Sequence, residues 1–513
     1  MLHDRGRAAD HEPENGVAKH GSTAGVGDEA RRAVENARMV QPEWAARPLA
    51  DRAAALERAA KQMLRERQTI LQLVKEETGK HEVEALFTEA LGHLDAVKAW
   101  KKIIGRSLDR RVFLNPLAFP KKKAHVTMVP RGVIGIIAPW NFPVSGLYRS
   151  VVPALLAGNA IVLKPSEHTP RSSAWFAEHF AREVPHGLVS VIQGDGVAGA
   201  AVVESGIDAC VFTGSVRAGA KVRVRCAELG IPSSIEMGGK DAAIVLADCD
   251  LDRTAMGITH WALSNTGQAC GAIEVAYVEE RIADAFIERV RTAWEKLRTG
   301  PGDEDVEVSP LGNRRQLEIV EAHVKDALAK GAKLVTGGAR TEGLGYRPTL
   351  LDRCTSEMDV VREETFGPVL AVVRVWGADG AIRAINGGKY GLGASIWTRD
   401  TARALRLIER LDVGVACVNT HAFTGAVPQL PWSGTRATGF GIASSELSLV
   451  TFMHPKTVAV DESDAEPFYM PFDRTFRNLG EALVKAQLGD VLAAAKIPFL
   501  LARRKKRIRD FFR

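Results

Sequence analysis

Cys270 lies in the run Asn265-Thr266-Gly267-Gln268-Ala269-Cys270-Gly271, small and flexible residues set just before an apolar stretch, Glu274 to Val278, that reads as a strand. Upstream, Glu236-Met237-Gly238-Gly239-Lys240 follows a short strand and puts a carboxylate next to two glycines, which leave it room to move and to hold a water molecule. A thiol is the neutral side chain most readily ionised near neutral pH, so a partly exposed cysteine beside glycine attacks an electrophilic carbon without a metal. An aldehyde carbon is the natural target, and a mobile carboxylate is the natural base for a water that follows. Each residue alone has a plainer reading. Free cysteine is among the most buried residue types, and an isolated glutamate at a strand end is usually solvated.

The elements that must position these groups read as α/β. At 513 residues the chain exceeds what one hydrophobic core supports, so two or more domains with a cleft between them are expected. From Glu29 to about Gly105 the pattern is helical: Leu56, Ala60 and Met63 share one face, Ile70 and Val74 another, and Gly79 marks a C-terminus. Between Val126 and Leu246 short apolar runs alternate with helical segments: Val133 to Ala138, Ala160 to Leu163, Leu188 to Ile192, Ala209 to Thr213 and Ala242 to Leu246. That alternation reads as βαβ units and a parallel sheet, in which ligands collect beyond the carboxyl ends of the strands. The second half repeats the style, with helices near Ile282 to Leu297 and Thr401 to Leu411 and strands near Ala332 to Val335 and Pro368 to Val375. Two β-rich segments far apart in sequence, Lys123 to Val129 and Thr451 to Val460, are suited to pair as an arm whose edge favours oligomerisation.

The loops after the first strands are rich in chemistry. Pro139 and Pro143 stiffen a turn that presents Asn141, a donor suited to an oxyanion or, more plainly, a helix cap. Lys164-Pro165-Ser166-Glu167 sets a cation and an anion three residues apart; an acid beside a ribose accepts its 2′-OH and repels a 2′-phosphate. Gly214-Ser215-Val216-Arg217-Ala218-Gly219 opens a helix and offers N–H groups to a pyrophosphate, although it is not the G-x-G-x-x-G fingerprint. Glu363-Glu364-Thr365-Phe366 places adjacent acids before an aromatic and a rigid turn.

Bulk properties exclude several classes. The net charge of +6 is spread over a long chain, which implies no nucleic-acid partner. Six cysteines without a Cys-x-x-Cys pair argue against a zinc site or a disulfide framework and for a reducing compartment, with the cytoplasm as the simplest address. Met1 to Asp28 is polar and Gly-rich and reads as a disordered leader. The apolar run Val133 to Pro143 is shorter than the roughly 20 residues of a membrane span.

Taken together the motifs resemble the aldehyde dehydrogenase superfamily, from about Glu29 to Val460. The residues that carry the resemblance are Pro139-Trp140-Asn141-Phe142-Pro143, Lys164-Pro165-Ser166-Glu167, Phe212-Thr213-Gly214-Ser215, Glu236-Met237-Gly238-Gly239-Lys240, Gly267-Gln268-Ala269-Cys270, Glu364-Thr365-Phe366-Gly367-Pro368 and Ser433-Gly434. The resemblance implies a Rossmann-type NAD-binding domain (29–122 and 131–238), an α/β catalytic domain (239–448) and an oligomerisation arm (123–130 and 449–462) of a homodimer or homotetramer. It makes Cys270 the nucleophile, Glu236 the base and Asn141 the oxyanion donor. Lys164 and Glu167 would hold the adenosine ribose, Gly214, Ser215 and Gly219 the pyrophosphate, and Glu364 the nicotinamide ribose, with Trp140 and Phe366 shaping the nicotinamide site. Glu167 favours NAD over NADP. The implied reaction oxidises an aldehyde through a Cys270 thiohemiacetal and then a thioester, which water activated by Glu236 hydrolyses. The alternatives are a coenzyme A-acylating semialdehyde dehydrogenase and a non-catalytic membrane-surface scaffold.

Some positions depart from the pattern. Val275 and Ser433 stand where many relatives carry Arg and Gly. Of two arginines that grip the distal carboxylate in semialdehyde-oxidising relatives, Arg149 is present and the other position is Ser264. Beyond the core, residues 463–513 form an amphipathic basic tail. Phe472, Phe476, Leu479 and Leu483 recur at helical spacing, and the end carries Arg503, Arg504, Lys505, Lys506, Arg507 and Arg509. Such a tail suits peripheral contact with an anionic membrane or, equally, packing on a partner subunit.

Overall fold

A computed structural model describes residues 23–115, 119, 121–301, 306–462 and 466–512. Most of the expected leader lies outside the described residues, but a helix already runs Thr23–Ala46, so the leader ends earlier than Asp28. Gly25 and Gly27 are poor helix formers; once the turns from Glu29 onward exist, each added residue gains one hydrogen bond without a new nucleation cost. The helix Leu49–Arg65 buries Leu56, Ala60 and Met63, and Arg67–Thr78 buries Ile70 and Val74. The latter ends at Gly79 with φ +71°, a left-handed cap that glycine adopts without strain.

The chain forms two compact units, one of the described residues up to Ser107 with Val129–His454, the other of Leu108–Met128 with Pro455–Arg513. The first holds two sheets. Its five-stranded sheet is ordered Val189–Val191, Ala160–Lys164, Val133–Ile137, Ala209–Gly214, Ser233–Met237, with every pair parallel. The strand order reverses between Val133–Ile137 and Ala209–Gly214, and a crevice opens at the carboxyl ends of such a switch point. Glu236 lies within the last strand rather than after it.

The seven-stranded sheet is ordered Lys333–Thr336, Thr349–Asp352, Val369–Val375, Ile273–Glu279, Asp241–Val245, Gly393–Trp397, Val415–Val418, parallel except for the first pair. The run read as the last of the first series, Ala242 to Leu246, therefore sits near the middle of the second sheet: Ser233–Met237 closes the first sheet, and Gly238-Gly239 carries the chain across. Central strands such as Ile273–Glu279 are buried on both faces, which is why they read as unbroken apolar runs.

In the second unit, Lys122–Pro130 lies in a three-stranded sheet between Asp109–Val112 and Met453–Asp461. Asp109 pairs opposite Thr127 in the antiparallel register. Most of Met453–Asp461 is exposed. Two helices follow, Arg474–Gln487 and Val491–Phe512, and bury Leu479, Ala482, Ala493, Arg504 and Ile508. Phe472 precedes the first helix instead of joining its face.

Candidate active site

A cavity of about 810 Å³ brings together the loops after the first sheet's strands and the loops before the second sheet's strands. Its wall contains Trp140, Asn141, Lys164, Glu167, Gly214, Ser215, Glu236, Cys270, Glu364 and Phe366. Gly219 is the exception. It is buried within the helix Val216–Glu228, where a Cβ would meet Met237 Sδ at 2.6 Å and the Phe212 ring at 3.0 Å. It lets that helix pack closely on the sheet and is not among the walls of this cavity.

The loop bearing Cys270 stores backbone strain. Asn265, Thr266 and Gly267 all have positive φ (52°, 58° and 73°). For a β-branched residue such as Thr266 this is costly, by about 1–3 kcal/mol, and it persists only where surroundings over-determine it. They do so here: Thr266 Oγ1 donates to Ser309 O at 3.0 Å, Gln268 Oε1 accepts from Gly312 N at 2.8 Å, and a Cβ on Gly267 would strike Gly367 O at 2.1 Å. Asn141 is tied to this loop. Its Nδ2 donates to Gln268 O at 3.0 Å, and its own carbonyl accepts from Asn265 Nδ2 at 3.0 Å. An amide nitrogen carries two hydrogens, so one remains for an oxygen beside Cys270.

Burial changes the acid–base picture that the sequence implies. The Cys270 thiol is pushed up to about 12 by desolvation, with Arg149 opposing and Asp241, Glu236 and Glu364 adding to the rise. The expectation of a thiol appreciably ionised at neutral pH is therefore corrected, because removing water penalises the thiolate. Glu236 is raised by burial as well, and the Arg149 guanidinium, with Nη2 4.0 Å away, works against the rise. Glu364 is pushed up to about 8 by burial and by the charge of Glu274, while its Oε1 accepts Gly239 N at 3.1 Å.

A second, larger cavity of about 1990 Å³ reaches Cys270. The two cavities share Phe142, Gly146, Arg149, Cys270 and Trp432 as walls. The second has apolar walls at Phe87, Leu91, Trp100, Tyr148, Trp261 and Phe423, alongside charged and polar ones at Glu82, Glu84, His93, His260, Arg298 and Glu307. Cys270 thus stands where two chambers meet, and both are walled by a mixture of polar and apolar groups. Arg149 lies over the Trp432 ring at 5.6 Å, and its Nε and Nη2 are buried without a hydrogen-bond partner.

The first chamber fits a dinucleotide. Ser215 caps the helix Val216–Glu228 by accepting Ala218 N at 3.3 Å, so the positive end of that helix opens on the cavity. Lys164 Nζ lies 3.3 Å from Glu167 Oε2, a donor and an acceptor suited to ribose hydroxyls. Trp140 and Phe366 meet edge-to-face at 5.8 Å. Among the described residues no group of His, Cys, Asp and Glu suits a metal ion.

The aldehyde dehydrogenase family model matches residues 4–458. The chain belongs to the aldehyde dehydrogenase family. It is 35% identical over 433 residues to 4,4′-diapolycopene aldehyde oxidase of Methylomonas sp., covering 84% of this chain and 81% of that protein. It is 34% identical over 442 residues to a protein described as putative succinate-semialdehyde dehydrogenase [NADP(+)] 2 of Mycobacterium ulcerans (strain Agy99), covering 85% of each. Among solved structures it is similar to the NADP-dependent glyceraldehyde-3-phosphate dehydrogenase of Bacillus halodurans C-125 complexed with NADP, with TM-score 0.81 and 32% identity over 85% of this chain and 92% of that one. The enzyme is an oxidoreductase that oxidises an aldehyde with a nicotinamide dinucleotide.

Several residues that build the enzyme's site carry no signal in the sequence. Glu274 accepts the backbone N–H groups of Thr365 and Phe366, both at 2.8 Å, and pairs with Lys240, so a buried ion pair shapes the turn that carries Glu364. Phe366 has φ +52° at that turn. Asp241, buried behind Cys270, accepts Gly393 N at 2.8 Å and faces His421 Nε2 at 3.2 Å. Only spatial proximity reveals these partners, since they lie up to about 180 residues apart.

Proposed function

We propose that this aldehyde dehydrogenase converts a hydrophobic, long-chain aldehyde to its carboxylic acid, with NAD as the preferred acceptor. The observation that supports the substrate class is the set of large apolar walls, Phe87, Leu91, Trp100, Tyr148, Trp261 and Phe423, in the cavity of about 1990 Å³ that opens on Cys270. The aldehyde named for the Methylomonas relative agrees with it.

Cys270 Sγ adds to the aldehyde carbon and passes its proton to solvent water. Asn141 Nδ2 and the Cys270 backbone N–H stabilise the oxyanion that forms. A nicotinamide held by the residues of the first cavity would supply the hydride acceptor, and loss of the hydride would leave a thioester on Cys270. Glu236 then takes a proton from a water, which adds to the thioester carbonyl; the C–S bond breaks, Cys270 leaves as a thiolate and is reprotonated, and the acid departs. The dinucleotide would be held by Lys164 and Glu167 at the adenosine ribose, by Gly214 and Ser215 at the pyrophosphate, and by Glu364 at the nicotinamide ribose, with Trp140 and Phe366 enclosing the ring. Glu167 supports NAD, because its carboxylate repels a 2′-phosphate.

Arg149 favours a second substrate reading. Two of its buried nitrogens have no hydrogen-bond partner, and a carboxylate on the aldehyde, as in a semialdehyde, would satisfy them. A homologous series separates the two. Each methylene buried contributes about 0.8 kcal/mol, roughly fourfold in kcat/KM. For n-alkanals from C4 to C12 the hydrophobic reading expects a steady climb, whereas a flat series with succinic semialdehyde on top would reject it.

The same proposal places the enzyme in the cytoplasm as a homodimer or homotetramer joined through the exposed edge of Met453–Asp461, with residues 463–513 making a peripheral membrane contact. Among the described residues no helix is long and apolar enough to cross a membrane.

A further inference from the structure

One end of the C-terminal helical hairpin carries chemistry that oxidation does not use, in a segment beyond residue 458 where the family match stops. Before the helix Arg474–Gln487 runs Pro467-Phe468-Tyr469-Met470-Pro471-Phe472. Its four large apolar side chains are exposed, Tyr469 at 57%, Met470 at 58% and Phe472 at 76%. A pliant loop of this composition would turn those groups inward, away from water.

This loop is clamped open. Arg504, wholly buried, donates Nε to Pro467 O at 3.1 Å and Nη2 to Pro471 O at 2.5 Å and to Tyr469 O, while Nη1 meets Asp473 Oδ1 at 3.1 Å. The guanidinium stacks on Phe476 at 4.7 Å. Asp473 in turn caps Arg474–Gln487 and takes Arg507 Nε at 2.9 Å.

The clamp also fixes charge beside the loop. Arg503 to Arg509 holds six basic residues in seven positions. Arg504 points inward, Arg503, Lys506, Arg507 and Arg509 are exposed, and the helix ends on exposed Phe511 and Phe512. Aromatic groups rimmed by cations match a headgroup boundary, where rings sit among glycerol and carbonyl groups and cations meet phosphates. A second copy of this chain fits less well, because a two-fold contact would oppose the same cations.

We propose that Phe468–Phe472 with Arg503–Phe512 is a docking face for an anionic lipid membrane, held ready by Arg504. The proposal rests on the reading of residues 463–513 as the membrane contact and names the face that makes it.

Flotation of the full chain with phosphatidylglycerol–phosphatidylcholine vesicles, against phosphatidylcholine alone, tests it. The native chain should float with the anionic vesicles only. Tyr469→Ser/Met470→Ser/Phe472→Ser should lose at least tenfold in bound fraction. Lys506→Gln/Arg507→Gln/Arg509→Gln should lose about a hundredfold in lipid affinity, at about fivefold per cation. Val484→Ser/Leu488→Ser, away from this face, should float normally. Turnover of a short, soluble aldehyde should be unchanged throughout, which excludes misfolding. If the native chain does not float, both the membrane reading and this face are wrong. If it floats and the loop variant floats equally well, only the face is wrong. Loss of oligomer mass in the loop variant by light scattering, without native flotation, would make the face a subunit contact instead.

Discussion

Lys80 and Glu89 form a wholly buried ion pair, and that pair holds the turn bearing Asn141. Lys80 Nζ donates to Asn141 O at 3.0 Å and sits over the Phe142 ring at 4.2 Å, while Glu89 Oε2 accepts Val144 N at 3.1 Å and Ser145 N at 2.9 Å. The N-terminal helices thus reach Asn141, the proposed oxyanion donor, through two charges that no solvent screens.

Removing one charge leaves the other buried and unpaired, at a cost of about 3–5 kcal/mol. Lys80→Met should lower the thermal midpoint by several degrees and, by freeing the Asn141 turn, lower kcat about 10- to 100-fold with little change in KM for NAD. Lys80→Met/Glu89→Leu should recover much of the midpoint but not kcat. Full recovery of both would mean that the pair positions nothing.

The proposed division of labour between Cys270 and Glu236 gives distinct kinetics. Cys270→Ser should abolish NADH formation. Glu236→Gln should keep a first-turnover burst of NADH of about one per site while steady-state turnover falls about 10²- to 10⁴-fold, as loss of a general base predicts. A missing burst in Glu236→Gln would place that residue at the first half-reaction instead.

The pH dependence follows from burial. Glu236 lies above its ordinary range because of desolvation, and it must be ionised to act, so deacylation-limited turnover should rise with pH through a raised acid limb. Arg149 opposes that rise, and Arg149→Ala removes the opposition. The acid limb should then move to higher pH and activity near neutrality should drop, with Arg149→Lys in between. A limb that stays put excludes the guanidinium as a control on Glu236. Because burial pushes the Cys270 thiol up to about 12, its alkylation by iodoacetamide in the free enzyme should keep climbing from about pH 7 to pH 10 without a plateau.

Cofactor choice is assigned to one carboxylate. With Glu167 intact, kcat/KM for NAD should exceed that for NADP. Glu167→Ser should shift the ratio toward NADP by about fivefold or more, since a charge near a ribose phosphate is worth about a kilocalorie or more at such range. Dissociation constants from protein fluorescence titration, read without turnover, check it. An unchanged ratio would move the discrimination elsewhere in the chamber, where Arg217 and Lys221 also form the wall.

Motif order and spacing carried the family and the parallel α/β sheets, and they named residues that, apart from Gly219, line one cavity. Gly219 shows the limit of that reading: a glycine after a phosphate-type turn looks the same whether it faces a ligand or, as here, the Met237 side chain. The strand Gly393–Trp397 and the place of Asp241–Val245 within the second sheet went unread, because a short apolar run does not state its neighbours.

By itself, then, the sequence determined which groups the enzyme owns: a thiol, a carboxylate, an amide and a glycine-rich helix start, each tied to local backbone preference. Tertiary structure decided how those groups behave. Desolvation raises Cys270 and Glu236, Arg149 restrains both, and the Lys80–Glu89 and Lys240–Glu274 pairs set the turns around them. The reason is that protonation and orientation depend on distances between residues far apart in the chain, and on the water that folding removes, neither of which local spacing encodes.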